Sequence, residues 1–200
     1  MKRLATLIAF VAFAASAQAA PEIYVINNSQ TLALFSYSAL GVSSKTNKFE
    51  KTSGKVVFDQ ATKTGSVDVT IDATSVNTGH ALFDQQIQAA DFFDTARHPA
   101  ITFKSSNMTL DGDQMSLSGD LTIKGVTKPV TLAITHFQCM PHPLLKVDAC
   151  GAKATVTVKR SDFNMGKYAL LVSNDITLSL AIEAIKAQPA MQLASRDPMQ

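Results

Sequence analysis

The sequence predicts an all-β fold, an antiparallel barrel of about eight strands with one short helix near its mouth. Three observations support this. Apolar and polar residues alternate with a period of two through most of the chain, the pattern of half-buried strands. Turn-forming polar clusters interrupt these runs at short intervals, with no strand–helix–strand rhythm of the kind that builds a parallel sheet. A single stretch, residues 72–103, changes to helical spacing. Closure is preferred to an open sheet because a barrel leaves no unpaired edges. A barrel of about eight strands either fills with its own side chains or holds one small ligand.

The chain opens on an export signal. Lys2 and Arg3 form a positive start, residues 4–15 an apolar run, and Ala17-Gln18-Ala19 an A-x-A cleavage site. The run is shorter than the ~20 residues of a membrane-spanning helix. Cleavage after Ala19 removes two of the 18 basic residues, and the remainder balances the 16 acids. No Lys/Arg cluster remains to suggest a nucleic-acid partner. Residues 1–19 are therefore assigned to the signal, 20–185 to one domain with a sizeable core, and 186–200 to a patternless tail expected to be mobile.

Residues 23–26 are a short extended piece ending at the turn-prone pair Asn27-Asn28. Over residues 31–37 both faces carry apolar side chains, as in a strand covered on two sides. Residues 41–48 are polar and read as a loop. Strands follow at 55–59 and 66–73, the second with Val67, Val69, Ile71 and Ala73 on one face. Residues 101–110 are extended, and Asp111-Gly112 gives the strongest hairpin signal in the chain. Met115, Leu117, Leu121 and Ile123 then line one face as far as a second turn at 124–129. Residues 130–137 and 152–159 are strands, and 160–171 are irregular, with Asp162, Asn164 and Gly166 as turn formers. The last strand, 175–185, aligns Ile176, Leu178, Leu180 and Ile182.

Within the helical stretch, Ala81, Leu82, Ala89 and Phe92, with Ile87 and Phe93 beside them, suit one side of a short helix. Thr78 is the expected N-cap, and Pro99 marks the return to extended chain. So apolar a helix in a β-rich chain plugs the barrel end or rims a pocket. His80 and Asp84 stand at i and i+4, either as a hydrogen-bonded pair or as two ligands of a metal that lacks a third. Cys139 and Cys150 are expected to form a disulfide, worth about 3 kcal/mol in the chain-entropy estimate. A metal site from Cys139, His142 and Cys150 matches no common zinc spacing.

Two long stretches carry a family resemblance. TSVNTGHALFDQQIQAADFFDTARHPAITFKS (residues 74–105) and GDLTIKGVTKPVTL (residues 119–132) resemble the two signatures of the YceI-like family of exported lipid-binding proteins. FSYSALGVS at 35–43, GKVVFD at 54–59 and RSDFN at 160–164 resemble further segments of it. The resemblance implies an extended, lipocalin-like barrel without catalytic activity or cofactor, periplasmic, enclosing a long-chain isoprenoid such as a polyprenyl phosphate or a quinone tail. The ligand-binding set on this reading is Phe35, Tyr37, Phe49, Ile71, Phe103 and Leu121 on the wall. His80, Leu82, Phe83, Asp84, Ile87, Phe92 and Phe93 join them from the inserted segment. The chain departs from the family where Gln30-Thr31 replaces a common His-Ser and Ala39 a later His. A frequent R-D-x-H-L also becomes Phe83-Asp84-Gln85-Gln86-Ile87, which moves the expected head group toward a neutral one.

The expected partner is thus an isoprenoid lipid held in an apolar tunnel, with transient contact to a membrane surface and a homodimer as further expectations. Arg97 and Lys104, and the cluster Arg160, Asp162 and Lys167, read as solvated charges or as partners of an acidic head group. Two other readings stand beside the carrier: a ligand-free envelope stress or interaction module with a filled core, and an enzyme using His80 and Asp84. Common nucleophile, zinc-protease, phosphate-loop and dinucleotide motifs do not occur.

Overall fold

The computed structural model describes residues 21–110 and 115–188. Residues 1–20, which include the stretch read as an export signal, the Asp111-Gly112 pair and the chain beyond 188 lie outside the described residues. Within them are eleven strands: β1 (Glu22–Ile26), β2 (Leu32–Ala39), β3 (Ser43–Phe49), β4 (Thr52–Asp59), β5 (Thr64–Asp72), β6 (Val76–Asn77), β7 (Ala100–Thr109), β8 (Met115–Ile123), β9 (Val126–Pro141), β10 (Asp148–Lys159) and β11 (Asp175–Lys186). One helix, α1 (Ala81–Gln88), lies between β6 and β7. All strand pairs are antiparallel, in the order β1-β4-β5-β7-β8-β9-β10-β11, and β11 returns to β1 to close the ring. The expected eight-stranded barrel is therefore present.

The extra strands are broken courses of the same wall. β1 and β2 run in succession along β11, with Tyr24 opposite Lys186 and Ser36 opposite Thr177. β3 continues into β4, and β5 into β6, which pairs with β3 at Phe49 and Val76. The breaks sit side by side and are tied by side chains. Asn28 Oδ1 accepts from the Thr52 N–H at 2.6 Å, and Ser75 Oγ accepts from the Lys51 N–H at 3.0 Å. Asn27, read as a turn former, closes the first break by accepting from Ser29.

Three expectations are corrected. Residues 41–48 are not a loop: 43–49 form β3, in continuous register with β2 from Ala39↔Ser43 to Ala33↔Phe49. Its outward side chains are polar, and only Asn47 and Phe49 are buried, so hydrophobic alternation could not reveal it. The turn expected at 124–129 is a two-residue hairpin. Lys124 and Gly125 have φ of 49° and 73°, and Val126 already pairs with Ile123. A Cβ at Gly125 would lie 2.7 Å from the His98 ring, a second reason for glycine there. The expected disulfide is present, with Cys139 and Cys150 facing each other across β9 and β10. Finally, the domain does not end at 185. Lys186 pairs with Tyr24, and Ala187 is buried.

The connections sort to opposite ends of the barrel. Residues 40–42, 78–99, 124–125 and 160–174 gather at one end, the mouth; 60–63 and 142–147 lie at the other, with the β1 start and the β11 end. Side chains of alternate residues from every course meet in one core, including Tyr24, Phe35, Phe58, Val69, Phe103, Leu121 and Ala184.

Candidate functional site

The mouth is built by the two long connections. α1 begins after His80, not at Thr78, and ends at Ala89, whose extended backbone (φ −66°, ψ 167°) stops it. Thr78 and Asp84 nevertheless fix the helix start. The Asp84 carboxylate accepts from both the Thr78 N–H and the Thr78 hydroxyl at 2.7 Å, and these bonds hold it below its ordinary pKa. Asp84 is thus partnered by Thr78 rather than by His80, whose ring lies against Phe83 at 5.1 Å. Phe92 and Phe93 fall in the turns after the helix. The Phe93 N–H bonds back to the Ile87 carbonyl at 3.0 Å and turns its ring into the barrel.

Beneath this segment lies a cavity of about 460 Å³. That volume falls within the ~300–1,000 Å³ of pockets that take one small molecule. β2 contributes Phe35 and Tyr37; the helix contributes Phe83, Gln86 and Ile87; Phe92 and Phe93 follow. Ile123, Val158, Ile176 and Leu178 line the strand side, and Met165, Tyr168, Leu171 and Val172 come from the β10–β11 connection. Deeper in, Phe93 meets Phe35 edge-on at 5.8 Å and Phe49 at 5.5 Å. Below this aromatic cluster is a void of about 50 Å³ lined by Phe49, Ile71, Phe103 and Leu121 among others. Phe93, Ile123 and Leu178 border both spaces. The interior is therefore neither solid nor the continuous tunnel expected: it is open at the mouth and closed by aromatic rings below.

The two connections are latched together. Lys167 Nζ reaches Asp91 Oδ2 at 2.6 Å, Phe92 stacks on Tyr168 at 5.8 Å, and Lys124 donates to the carbonyls of Ala90 and Asn164 at 2.6 and 2.9 Å. The Lys167 ammonium holds the Asp91 carboxyl below its ordinary pKa. Around the opening Leu40, Val42, Leu82, Phe83, Leu170 and Leu171 are exposed.

Arg160, read from the sequence either as a solvated charge or as a partner of an acidic head group, is not solvated. It opens the short 3-10 turn Arg160–Phe163 after β10, is 3 % exposed, and lines the cavity. Its Nε donates to Ser173 O at 2.9 Å, Nη1 to the carbonyls of Met165 and Lys167, and Nη2 to Val172 O at 3.0 Å. The guanidinium thus clasps the whole connection that forms one wall of the mouth, and burial lowers its pKa. Asp162 is exposed and stays apart from it. Nothing in the period of the sequence distinguishes such an arginine from a solvated one.

The remaining residues chosen from the sequence divide clearly. Phe35, Tyr37, Phe83, Ile87, Phe92 and Phe93 line the mouth cavity, and Phe49, Ile71, Phe103 and Leu121 the deeper void. Leu82, His80 and Asp84 border neither: Leu82 points outward on the rim, and the other two belong to the helix start. Arg97 pairs with buried Asp94 and Lys104 with Asp68, so neither reaches the cavity. Among the described residues no three His, Cys, Asp or Glu side chains could hold a metal, and both thiols are consumed by the Cys139–Cys150 bond. Asn47, opposite Phe35, buries its Nδ2 without an acceptor among the described residues.

Residues 24–184 match the YceI-like domain. The chain belongs to the YceI-like family. It is 35 % identical over 153 residues to Protein YceI of Escherichia coli O157:H7, covering 76 % of this chain and 80 % of that protein. A UPF0312 protein of Pectobacterium atrosepticum is 32 % identical over 182 residues, 90 % of this chain and 94 % of its own length. Among solved structures, BcnA of Burkholderia cenocepacia superposes with a TM-score of 0.69 at 25 % identity, covering 79 % of this chain and 98 % of its own. A polyisoprenoid binding domain from Saccharophagus degradans shares the fold, with a TM-score of 0.62 at 18 % identity over 82 % of this chain and 98 % of its own. Against the YceI-like pattern, the two substituted helix positions matter most, because Phe83 and Gln86 both face the cavity.

Proposed function

We propose that this protein binds a long-chain isoprenoid lipid in the mouth cavity and carries or stores it in the periplasm without converting it. The observation that carries this reading is the apolar cavity of about 460 Å³ at the one barrel end where long connections replace short turns. The ligand class follows from the family resemblance and from the polyisoprenoid binding of the Saccharophagus degradans domain. The export signal read at residues 1–19 supports the location.

Each buried methylene contributes roughly 0.8 kcal/mol, against about 1 kcal/mol net for a head-group hydrogen bond. The tail therefore sets affinity. A tail longer than the mouth cavity enters the deeper void only if Phe93 swings aside. A ligand this insoluble is loaded from a bilayer, and the exposed rim of Leu40, Val42, Leu82, Phe83, Leu170 and Leu171 suits brief contact with one. The test is solvent extraction of the purified protein followed by mass spectrometry, with uptake of added quinone and polyprenol as a second arm. Recovery of an isoprenoid or uptake of one is the expected result; neither, repeatedly, overturns the proposal.

A further inference from the structure

The cavity lining is mostly apolar, with neutral polar atoms from Tyr37, Gln86 and Tyr168 and one charge. Of the side chains that line it, only Arg160 is charged, and it is the one buried cation among the described residues. Every acceptor of its hydrogen bonds is a backbone carbonyl, with no carboxylate among the described residues to balance the charge. Carbonyl dipoles satisfy donors without neutralising a full charge, so the cavity keeps a net positive wall. A guanidinium has five N–H donors, and the four bonds to carbonyls use at most four; one hydrogen on Nη2 is unassigned. Two other cations at the mouth are committed elsewhere, Lys167 to Asp91 and Lys124 to the carbonyls of Ala90 and Asn164, and Lys45, opposite Tyr37, is exposed and does not line the cavity.

We infer that Arg160 is the head-group site of this cavity and takes an oxyanion, a phosphate or a carboxylate, at the polar end of the bound lipid. This rests on the lipid-binding reading above and reverses the neutral head group expected from Phe83 and Gln86. The cation that the helix lacks is supplied from the opposite connection. A guanidinium suits the role because its planar fork pairs with either oxyanion, and the apolar surroundings strengthen that pairing.

The experiment uses three probes with one tail: farnesyl phosphate, farnesoic acid and farnesol, titrated into the delipidated mature protein. Both acids should bind at least tenfold more tightly than the alcohol, and the phosphate-to-carboxylate ratio identifies the better oxyanion. In Arg160→Gln the preference should vanish, and in Arg160→Lys it should shrink but persist. Arg160 also clasps its connection, so Val158→Asp is the companion variant: it sets a carboxylate on the cavity wall and leaves the clasp intact. A charge in the apolar wall should weaken all three probes, and the two acids at least tenfold more than farnesol, so that the acid preference disappears. Equal binding of all three probes by the wild type, or an undiminished acid preference in a folded Arg160→Gln or in Val158→Asp, overturns the inference and leaves the carrier reading standing. Failure of all three to bind overturns the carrier reading itself.

Discussion

The two ends of this barrel share one wall and differ in nearly everything else. At the far end the connections are short, Phe58 and Phe137 pack edge-on at 5.2 Å, Tyr24 is fully buried, and a disulfide joins β9 to β10. His142 Nδ1 caps the 142–147 turn by accepting from the N–H groups of Leu144 and Leu145. At the mouth two long connections are held by side-chain contacts and carbonyls, and they enclose space rather than fill it. The far end is thus the more tightly packed and cross-linked, and the mouth carries the proposed binding, the usual division between a rigid scaffold and the loops it positions. The sharpest way to break this contrast is a pair of truncations. Phe58→Ala should lower the unfolding free energy by about 3–5 kcal/mol. Phe83→Ala, at an exposed lip, should change it by no more than about 0.5 kcal/mol. Denaturant titration of both variants measures the difference, and equal losses would erase the distinction between the ends.

The disulfide sharpens the same point. Replacing Cys139 and Cys150 together by serine should cost about 3 kcal/mol of stability, while lipid affinity measured below the lowered unfolding transition stays within twofold. A large loss of affinity would mean that the far end shapes the cavity after all. Conversely, Phe92→Asp places a charge in the apolar mouth beside Tyr168 and should weaken prenyl binding at least tenfold, or about 1.4 kcal/mol. Arg97→Ala, which removes a solvent-facing charge paired with Asp94, should leave binding within twofold. The reverse order would mean that head-group charge at that position outweighs the tail in setting affinity.

How much of this was legible beforehand follows from what each residue's neighbours demand. The strand faces were, because residues such as Leu117, Leu121 and Ile123 alternate against one core and leave a period-two trace. β3 was not, since its outer residues Ser44, Thr46 and Lys48 face water, Ser43 and Lys45 are exposed as well, and its strand state comes only from pairing with β2. The helix was visible as a region but overextended. Phe92 and Phe93 keep helical spacing although tertiary contacts with Tyr168, Phe35 and Phe49 place them in turns. Six of the aromatic and aliphatic cavity residues were chosen because size and hydrophobicity mark a lining as readily as a core. Arg160 was named, but its burial was not legible, because burial of an arginine depends on carbonyls that converge only after folding, and no local pattern encodes that convergence.

The smallest expected effect lies where the ring closes. Glu22 accepts from Lys186 Nζ at 2.6 Å and from the Tyr24 hydroxyl at 2.9 Å, joining β1 to β11 at the far end. The Lys186 bond first, and the Tyr24 bond second, hold the Glu22 carboxyl below its ordinary 4.5. A carboxylate with a lowered folded pKa contributes stability above its unfolded value and loses it as pH falls through the folded one. The Lys186 ammonium, raised above its ordinary 10.5 by Glu22, contributes below that value and loses the contribution as pH climbs past the folded one. Their joint stabilisation is therefore flat between about 4.5 and 10.5 and fades outside that window. Both side chains are about one-third exposed, so solvent screening limits the pair to about 0.5 kcal/mol. Glu22→Gln should cost that amount at about pH 7, with the deficit shrinking as pH drops below 4.5. Lipid affinity should not change, because the mouth lies at the opposite end. A deficit that persists undiminished at about pH 3 would assign Glu22 to packing rather than to charge.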